Sequence, residues 1–421
     1  MLEITPNNIH RTLRIPVDNS WNYASNKELK MHNIHAYPAK FPSFIASKVF
    51  EYATTEGVTI SKVADIFCGC GTVSLEAQLH NYDFWGCDIN PVATLISKVK
   101  SKNYNIKILE RYYNVILDHY TLEILPTFLY ENANERLKYW FSQNTFNELY
   151  KIKRCIKNFI PTGKYQDAFL CIFSSILKSC SRWLNKSIKP QIDPYKQEIN
   201  VIEIFKKQYN YFKKAVGENK QKFKKETIIK NDNFLTIDNI PNIDLIVTSP
   251  PYVTSYEYAD LHQLSSLWLN YTNDYKALRE GSVGSIYNSK YFDLENIEIN
   301  EIGKTIIENL SSVLNQAKLK SIARYYTDME LALDKCYHKL NENGMIFLVI
   351  GDTEYKGIKI ENSKHLLMTL HEKGFTNLKI ARRKISNKLL TPYRDENGKF
   401  TSDKTKREIY HEEFLISGRK F

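Results

Sequence analysis

No apolar run in the chain approaches the roughly 20 residues a membrane span requires, and the opening, MLEITPNNIHRTLRIPV, has no apolar core of a secretory signal. A cytoplasmic protein with no membrane partner is expected. Cysteine is present but unpaired in pattern. Cys68, Cys70, Cys87, Cys155, Cys171, Cys180 and Cys336 form an odd set with no C-x-x-C spacing, which argues against a disulfide framework and against a structural zinc site. Internal repeats and low-complexity tracts are missing. So is the G-x-G-x-x-G turn of dinucleotide binding, which disfavours hydride transfer. No separate carboxylate cluster with its own strands points to a fused nuclease.

What remains is ordinary globular text, 43% hydrophobic and 25% charged, so the chain should fold throughout. Its 421 residues exceed one small core, and two or three structural units are expected. The net charge of +11 is unevenly placed. Between Ser101 and Lys230 stand 24 lysines and arginines against 12 acidic residues, an excess of +12, so the rest of the chain sums to about −1. Such a block is either a solvated lysine-rich helical surface or a nucleic-acid surface. Interleaved Tyr, Phe and Trp favour nucleic acid.

Along the chain, VTISKVADIFCGCGTVSLEAQLHNYDFWGCDINPVATLISKVK reads strand (63–67), glycine turn, helix (72–79), strand (84–88), helix. Strands alternating with helices at this spacing predict βαβ units and a parallel sheet, an α/β fold. Five segments follow: 1–100, 101–227, 228–262, 263–330 and 331–421. The second is helical and looks inserted. In the third, ETIIKNDNFL and NIDLIVTSPPY are expected as neighbouring strands; the fourth is helical. The fifth should hold a helix end, a glycine turn and a buried strand in NENGMIFLVIGD, then a closing antiparallel pair in TNLKIARRKI and EEFLISGRKF.

Two constellations can carry chemistry. In the first, Asp65-Ile66-Phe67-Cys68-Gly69-Cys70-Gly71-Thr72 leaves a first strand through glycines that admit a ligand to the backbone, and Asp88 ends the next strand where its carboxylate can accept both hydroxyls of a ribose. In the second, Ser249-Pro250-Pro251-Tyr252 ends a buried strand. Two prolines cannot donate to a sheet and restrict the residues before them, so the chain leaves the ladder in a fixed shape. That shape can present a hydroxyl, the Pro250 carbonyl and an aromatic face to a nucleobase amine, with the two acceptors drawing its N–H bonds aside so that the nitrogen lone pair meets a methyl donor. Catalysis of that kind is positioning, with no strong base required.

Together DIFCGCGT, GCDINP, NDNFL, TSPPY and HAYPAKFP resemble the amino-methyltransferases of DNA, enzymes that use S-adenosyl-L-methionine to modify cytosine N4 or adenine N6. The resemblance covers about 30–100 and 228–262, extends loosely over RYYTDMELALDKCYHKLNENGMIFLVIGD, and skips 101–227. It implies a Rossmann-like, mostly parallel class I methyltransferase sheet, with an N-terminal cofactor motif and half the sheet in 1–100, the catalytic half in 228–262 and closing strands in 331–421. The helical insertion 101–227, and possible DNA contacts in 263–330, would supply target recognition. By the same resemblance Asp65, Phe67, Gly69 and Gly71 line the cofactor's methionine side, Asp88 its ribose, and Asp232 with Phe234 its adenine, while Tyr37 and Lys40 belong to a motif closing over the methionine moiety. Cytosine-N4 members usually carry Ser before Pro-Pro-Tyr and adenine enzymes Asp or Asn, so Ser249 points to cytosine. The target base must flip out of double-stranded DNA, where Tyr252 can stack on it and Tyr256, Tyr258, Asp260 and His262 can line its pocket. The expectation is a site-specific DNA methyltransferase of a restriction-modification or phage-defence system, with a cognate restriction endonuclease as a possible partner. An adenine-N6 enzyme, an RNA base methyltransferase and a silent DNA-binding subunit are the alternatives.

Overall fold

A strand covered on both faces needs apolar side chains at successive positions, and five segments of this chain supply them. In the computed structural model, which describes residues 1–9, 15–22, 27–38, 40–126, 128–219, 222–253, 258–285, 287, 292–385, 393–394, 400–401, 403, 405, 407–408 and 412–421, a short first strand, Leu2–Glu3 (β1), precedes these five. They are Lys62–Asp65 (β2), Asp83–Asp88 (β3), Thr227–Asn231 (β4), Ile243–Thr248 (β5) and Leu340–Ile350 (β6). Thr376–Lys384 (β7) and Glu412–Arg419 (β8) follow, and the sheet order is β1-β7-β8-β6-β5-β2-β3-β4. Strands β2 to β6 are mutually parallel, and β8 runs antiparallel to both β6 and β7.

Alternation along β5 and β6 divides the core. Leu245, Val247, Met345, Phe347 and Val349 face one layer, closed by the helix Ser43–Thr55 (α1), whereas Ile243, Ile246, Ile346, Leu348 and Ile350 face the other. Thr72–Leu79 (α2) follows β2, and Pro91–Lys100 (α3) follows β3 with Asn90 as its cap, whose Oδ1 accepts from the Val92 N–H at 3.0 Å.

Two expectations need correction. Strands β4 and β5 are not neighbours, because β2 and β3 lie between them. The chain starts its parallel sheet at β2, builds outward to β4, then returns to β2's other side with β5. That reversal opens a crevice at the C-terminal ends of β2 and β5, where doubly wound sheets bind ligands. The glycine turn before β6 is also absent. Gly344 lies inside the strand after Asn343 at φ +62°, beside a register shift opposite Ile243 and Leu245, where an added Cβ would come 2.8 Å from the Asn341 carbonyl.

Residues 106–218 form five helices: Ile106–Leu122 (α4), Glu135–Trp140 (α5), Gln143–Phe159 (α6), Lys164–Cys180 (α7) and Val201–Glu218 (α8). Four begin at an Asn or Ser whose side chain accepts from the first turn. They share an apolar core with the sheet-covering helix α3 and with Gln263–Trp268 (α9), in which Leu264, Leu267 and Trp268 are buried. The helices Glu301–Ser311 (α10), Gln316–Lys339 (α11) and Asn362–Glu372 (α12) complete the chain, with α11 running straight into β6. Among the described residues no helix is long and apolar enough to cross a membrane.

Candidate active site

Asp65 closes β2 and is buried; its Oδ1 accepts from the Thr248 hydroxyl at 2.6 Å and from the Phe67 N–H at 3.1 Å. One carboxylate thereby ties the end of β2 to the end of β5. Burial pushes its pKa up to about 7 against these two hydrogen bonds. Asp88, at the tip of β3, accepts from the Gly69 N–H and the Asn90 N–H, both at 2.8 Å, and burial raises it to about 6. Each of its oxygens keeps a second lone pair for a hydroxyl group.

The turn between β2 and α2 requires glycine. Gly69 has φ +48° and Gly71 φ +76°, and a Cβ on Gly71 would sit 2.7 Å from the Ser97 Cα. Over Gly69 lies the Tyr37 ring, 3.6 Å from where a Cβ would be. Tyr37 stacks on His262 at 4.9 Å and on Tyr258 at 6.4 Å between ring centroids. Burial and the nearby Asp88 charge raise the Tyr37 phenol well above its ordinary value, and burial lowers His262 to about 3, so this aromatic column is neutral. The loop carrying Tyr37 is held by the insertion: His35 Nε2 shares a 2.9 Å hydrogen bond with the Ser174 hydroxyl of α7, and Gln208 of α8 donates to the Ile34 carbonyl at 2.8 Å.

At the end of β5 the Ser249 hydroxyl donates to the Val349 carbonyl of β6 at 3.0 Å. Its proton is committed, so its free lone pairs make it an acceptor. Pro250 is buried, and its carbonyl accepts no hydrogen bond from the described residues. The Tyr252 hydroxyl donates to Glu413 Oε1 at 3.1 Å, and its ring lies against Gly351, where a Cβ would be 3.3 Å away. Glu413 is gripped in turn by Arg383 at 2.7 and 2.9 Å. Tyr252 is therefore clamped to the antiparallel end of the sheet. Sequence reasoning missed Glu413 and Arg383, which lie 161 and 131 positions beyond Tyr252 and meet only through the pairing of β7 with β8.

Other site residues fall less simply. Phe67 is half-buried beside Asp65. Asp232 is exposed just past β4, with its N–H on the Asp88 carbonyl at 3.2 Å, next to the carboxylate at the tip of β3. Phe234 is 3% exposed and packs on Trp85 in the core. The Lys40 ammonium is held by Glu28 at 2.8 Å and Asn33 at 2.9 Å. Asp260 pairs with Arg279, and Tyr256 lies outside the described residues.

A glycine turn after the first parallel strand, a carboxylate at the tip of the second and a polar crevice at the reversal of strand order define an α/β methyltransferase built around a nucleoside cofactor. The profile of the DNA methylase family, which modifies N4 or N6 amino groups, matches residues 7–98 and 243–417, and the chain belongs to that family. It is similar to the Type II methyltransferase M.MvaI of Kocuria varians, 26% identical over 398 residues that cover 86% of this chain and 85% of that one. It is also similar to the Type II methyltransferase M.BsoBI of Geobacillus stearothermophilus, 22% identical, with coverage of 80% and 76%. Among solved structures, a SAM-dependent methyltransferase from Methanosarcina mazei aligns over 92% of this chain and 99% of that one at 9% identity and a TM-score of 0.30, too low to bear on substrate. The family match leaves 99–242 unmatched, the stretch that includes all five insertion helices.

The methyl donor is S-adenosyl-L-methionine. The crevice fits such a group: beside Asp88's lone pairs, Thr72 at the start of α2, Asn90 at the start of α3 and His262 each hold a buried polar atom without a hydrogen-bond partner.

Proposed function

We propose that the chain methylates the exocyclic N4 of cytosine in double-stranded DNA, at a specific sequence, on a base flipped from the helix. The observation that carries this reading is Ser249: with its proton fixed on the Val349 carbonyl, its oxygen can only accept, as an N–H of an amino group requires. The Pro250 carbonyl is the second acceptor. With both N–H bonds held, the amine lone pair leaves conjugation with the ring and points out of its plane. Tyr252, kept rigid by Glu413 and Arg383, supports the base. Bound S-adenosyl-L-methionine would supply an electrophilic methyl on a sulfonium; the amine nitrogen gains the methyl as its bond to sulfur breaks and then releases one proton to water, so the chain needs no strong base. Asp65, Phe67, Gly69, Gly71 and Tyr37 would border its methionine side, Asp88 its ribose and Asp232 its adenine. Neutral Tyr258 and His262, stacked with Tyr37, form the wall between donor and base.

Flipping costs a few kcal/mol, offset by phosphate contacts from the basic insertion. The Type II names of the two relatives support a place in restriction and modification, with a cognate endonuclease as partner. The test is transfer of a labelled methyl group to duplex DNA. Loss of transfer in Ser249→Ala/Tyr252→Ala with cofactor binding retained is expected; undiminished transfer would remove the catalytic turn from the account.

A further inference from the structure

Beside β4, the outermost parallel strand, lies a cavity of about 330 Å³ whose lining includes Lys98, Lys102, Lys164 and Lys230, with Asp167 and Thr227. Four cations face one carboxylate. None of the four lysines forms an ion pair with a described residue, although Lys164 donates to the Asn103 carbonyl at 2.9 Å. The Thr227 hydroxyl is buried without a hydrogen-bond partner. Asn103 also holds the backbone of Phe223 through hydrogen bonds of 2.8 and 3.0 Å, and Lys222, Lys224 and Lys225 beside it are exposed. The acidic groups nearby are Asp167, Asp83 and Glu226; the Glu226 N–H donates to Asp83 at 3.0 Å. Burial raises Asp167 from its ordinary value, opposed by Lys98 and Lys157.

This is a concave surface site with excess positive charge, in which Lys102, Lys164 and Lys230 are exposed, and with an unsatisfied hydroxyl. It has room for one phosphate and its waters. It is also separate from the catalytic turn. Strand β4 stands three strand steps from β5, about 14 Å at roughly 4.8 Å per step, and Lys102, Lys164 and Lys230 fall in the stretch the family profile leaves unmatched. We propose that this pocket binds a phosphate of the DNA backbone on one flank of the target base. At about 3.4 Å per base pair along a strand, the contact falls roughly four base pairs from that base. The proposal rests on the DNA substrate of the family and is indifferent to which base is modified.

The test compares the full chain with Lys98→Gln/Lys102→Gln/Lys230→Gln, and with a control, Lys186→Gln/Lys207→Gln/Lys214→Gln, that removes the same charge from exposed lysines elsewhere in the insertion. Fluorescence anisotropy with a 30-base-pair duplex is read across a salt series. Each lost phosphate contact lowers the slope of log K against log salt by about 0.9. The pocket variant should lose about 0.9 of slope, more than the control, with an unchanged thermal midpoint. Equal losses in both variants would mean general charge and overturn the proposal, as would an unchanged slope. A third arm titrates pyrophosphate against thermal unfolding. If the pocket variant loses pyrophosphate protection while its DNA slope holds, the pocket serves a small phosphate compound and the DNA assignment fails.

Discussion

Replacing Ser249 by alanine removes one oxygen from the crevice and nothing larger. In the folded protein that oxygen donates to the Val349 carbonyl at 3.0 Å. Losing the donor leaves a strand-edge carbonyl short of one partner, which costs about 1 kcal/mol of stability because a carbonyl can still find water. The larger effect is on the reaction. An acceptor aimed at an N–H that becomes more acidic as the nitrogen attacks is worth about 3 to 4 kcal/mol in the transition state, by analogy with single donors to a developing oxyanion. The rate at saturating substrate should therefore fall about 100- to 1,000-fold. Cofactor affinity should hold, because Ser249 makes no hydrogen bond to Asp65, Asp88 or the glycine turn. Single-turnover transfer of a tritiated methyl group to duplex DNA reads the first quantity, and calorimetry with S-adenosyl-L-methionine the second. Ser249→Thr, which keeps a hydroxyl, should recover part of the rate. A Ser249→Ala enzyme within threefold of the parent, or one that loses cofactor affinity as steeply as rate, would refute this reasoning.

Further outcomes follow from the same geometry. Gly71→Ala places a Cβ at φ +76° against Ser97 and should destabilise the chain by about 3 kcal/mol while weakening cofactor binding; urea denaturation and calorimetry check both. Asp88→Asn removes the carboxylate proposed to accept from the ribose and should weaken cofactor binding by roughly 10- to 100-fold, equivalent to about 1.5 to 3 kcal/mol for a hydrogen bond to a charged group. Burial holds Asp65 at about 7 and Asp88 at about 6, both above the roughly 3.9 of an unfolded Asp, so the folded chain retains protons the unfolded chain has released. Their contribution to stability therefore falls as pH rises from about 4 to about 7, and Asp65→Asn should flatten that slope in urea titrations across the window. Glu413→Ala strands the buried Arg383 and removes the acceptor of the Tyr252 hydroxyl, with an expected loss of about 3 kcal/mol in stability and a lower transfer rate at unchanged cofactor affinity.

The parts of the fold legible in the sequence are those in which the signal is local. Residues 63–88 carry their own strand, glycine turn, helix and second strand, and Thr72–Leu79 folds as its composition requires. The closing pair β7 and β8 was equally readable from apolar text near the end of the chain. Strand order was not, because ETIIKNDNFL and NIDLIVTSPPY are adjacent in sequence while the reversal of the sheet at β2 sends them to opposite sides. In the site, the motifs around Asp65, Gly69, Gly71, Asp88 and Ser249 fall at the C-terminal ends of β2, β3 and β5. Phe234 and Lys40 show the limit of such motifs: nothing in their letters announces that Phe234 packs on Trp85 or that Lys40 pairs with Glu28. The clamp on Tyr252 joins residues from two strands more than 100 positions away, and nothing local to Tyr252 announces it.

Cytosine N4 and adenine N6 are the two amino groups that could receive the methyl. Duplex DNA from a host expressing the chain, digested to nucleosides and resolved by mass spectrometry, decides between them in one measurement. N4-methylcytosine is expected, absent from the same host carrying Ser249→Ala/Tyr252→Ala; N6-methyladenine without N4-methylcytosine would contradict the cytosine assignment.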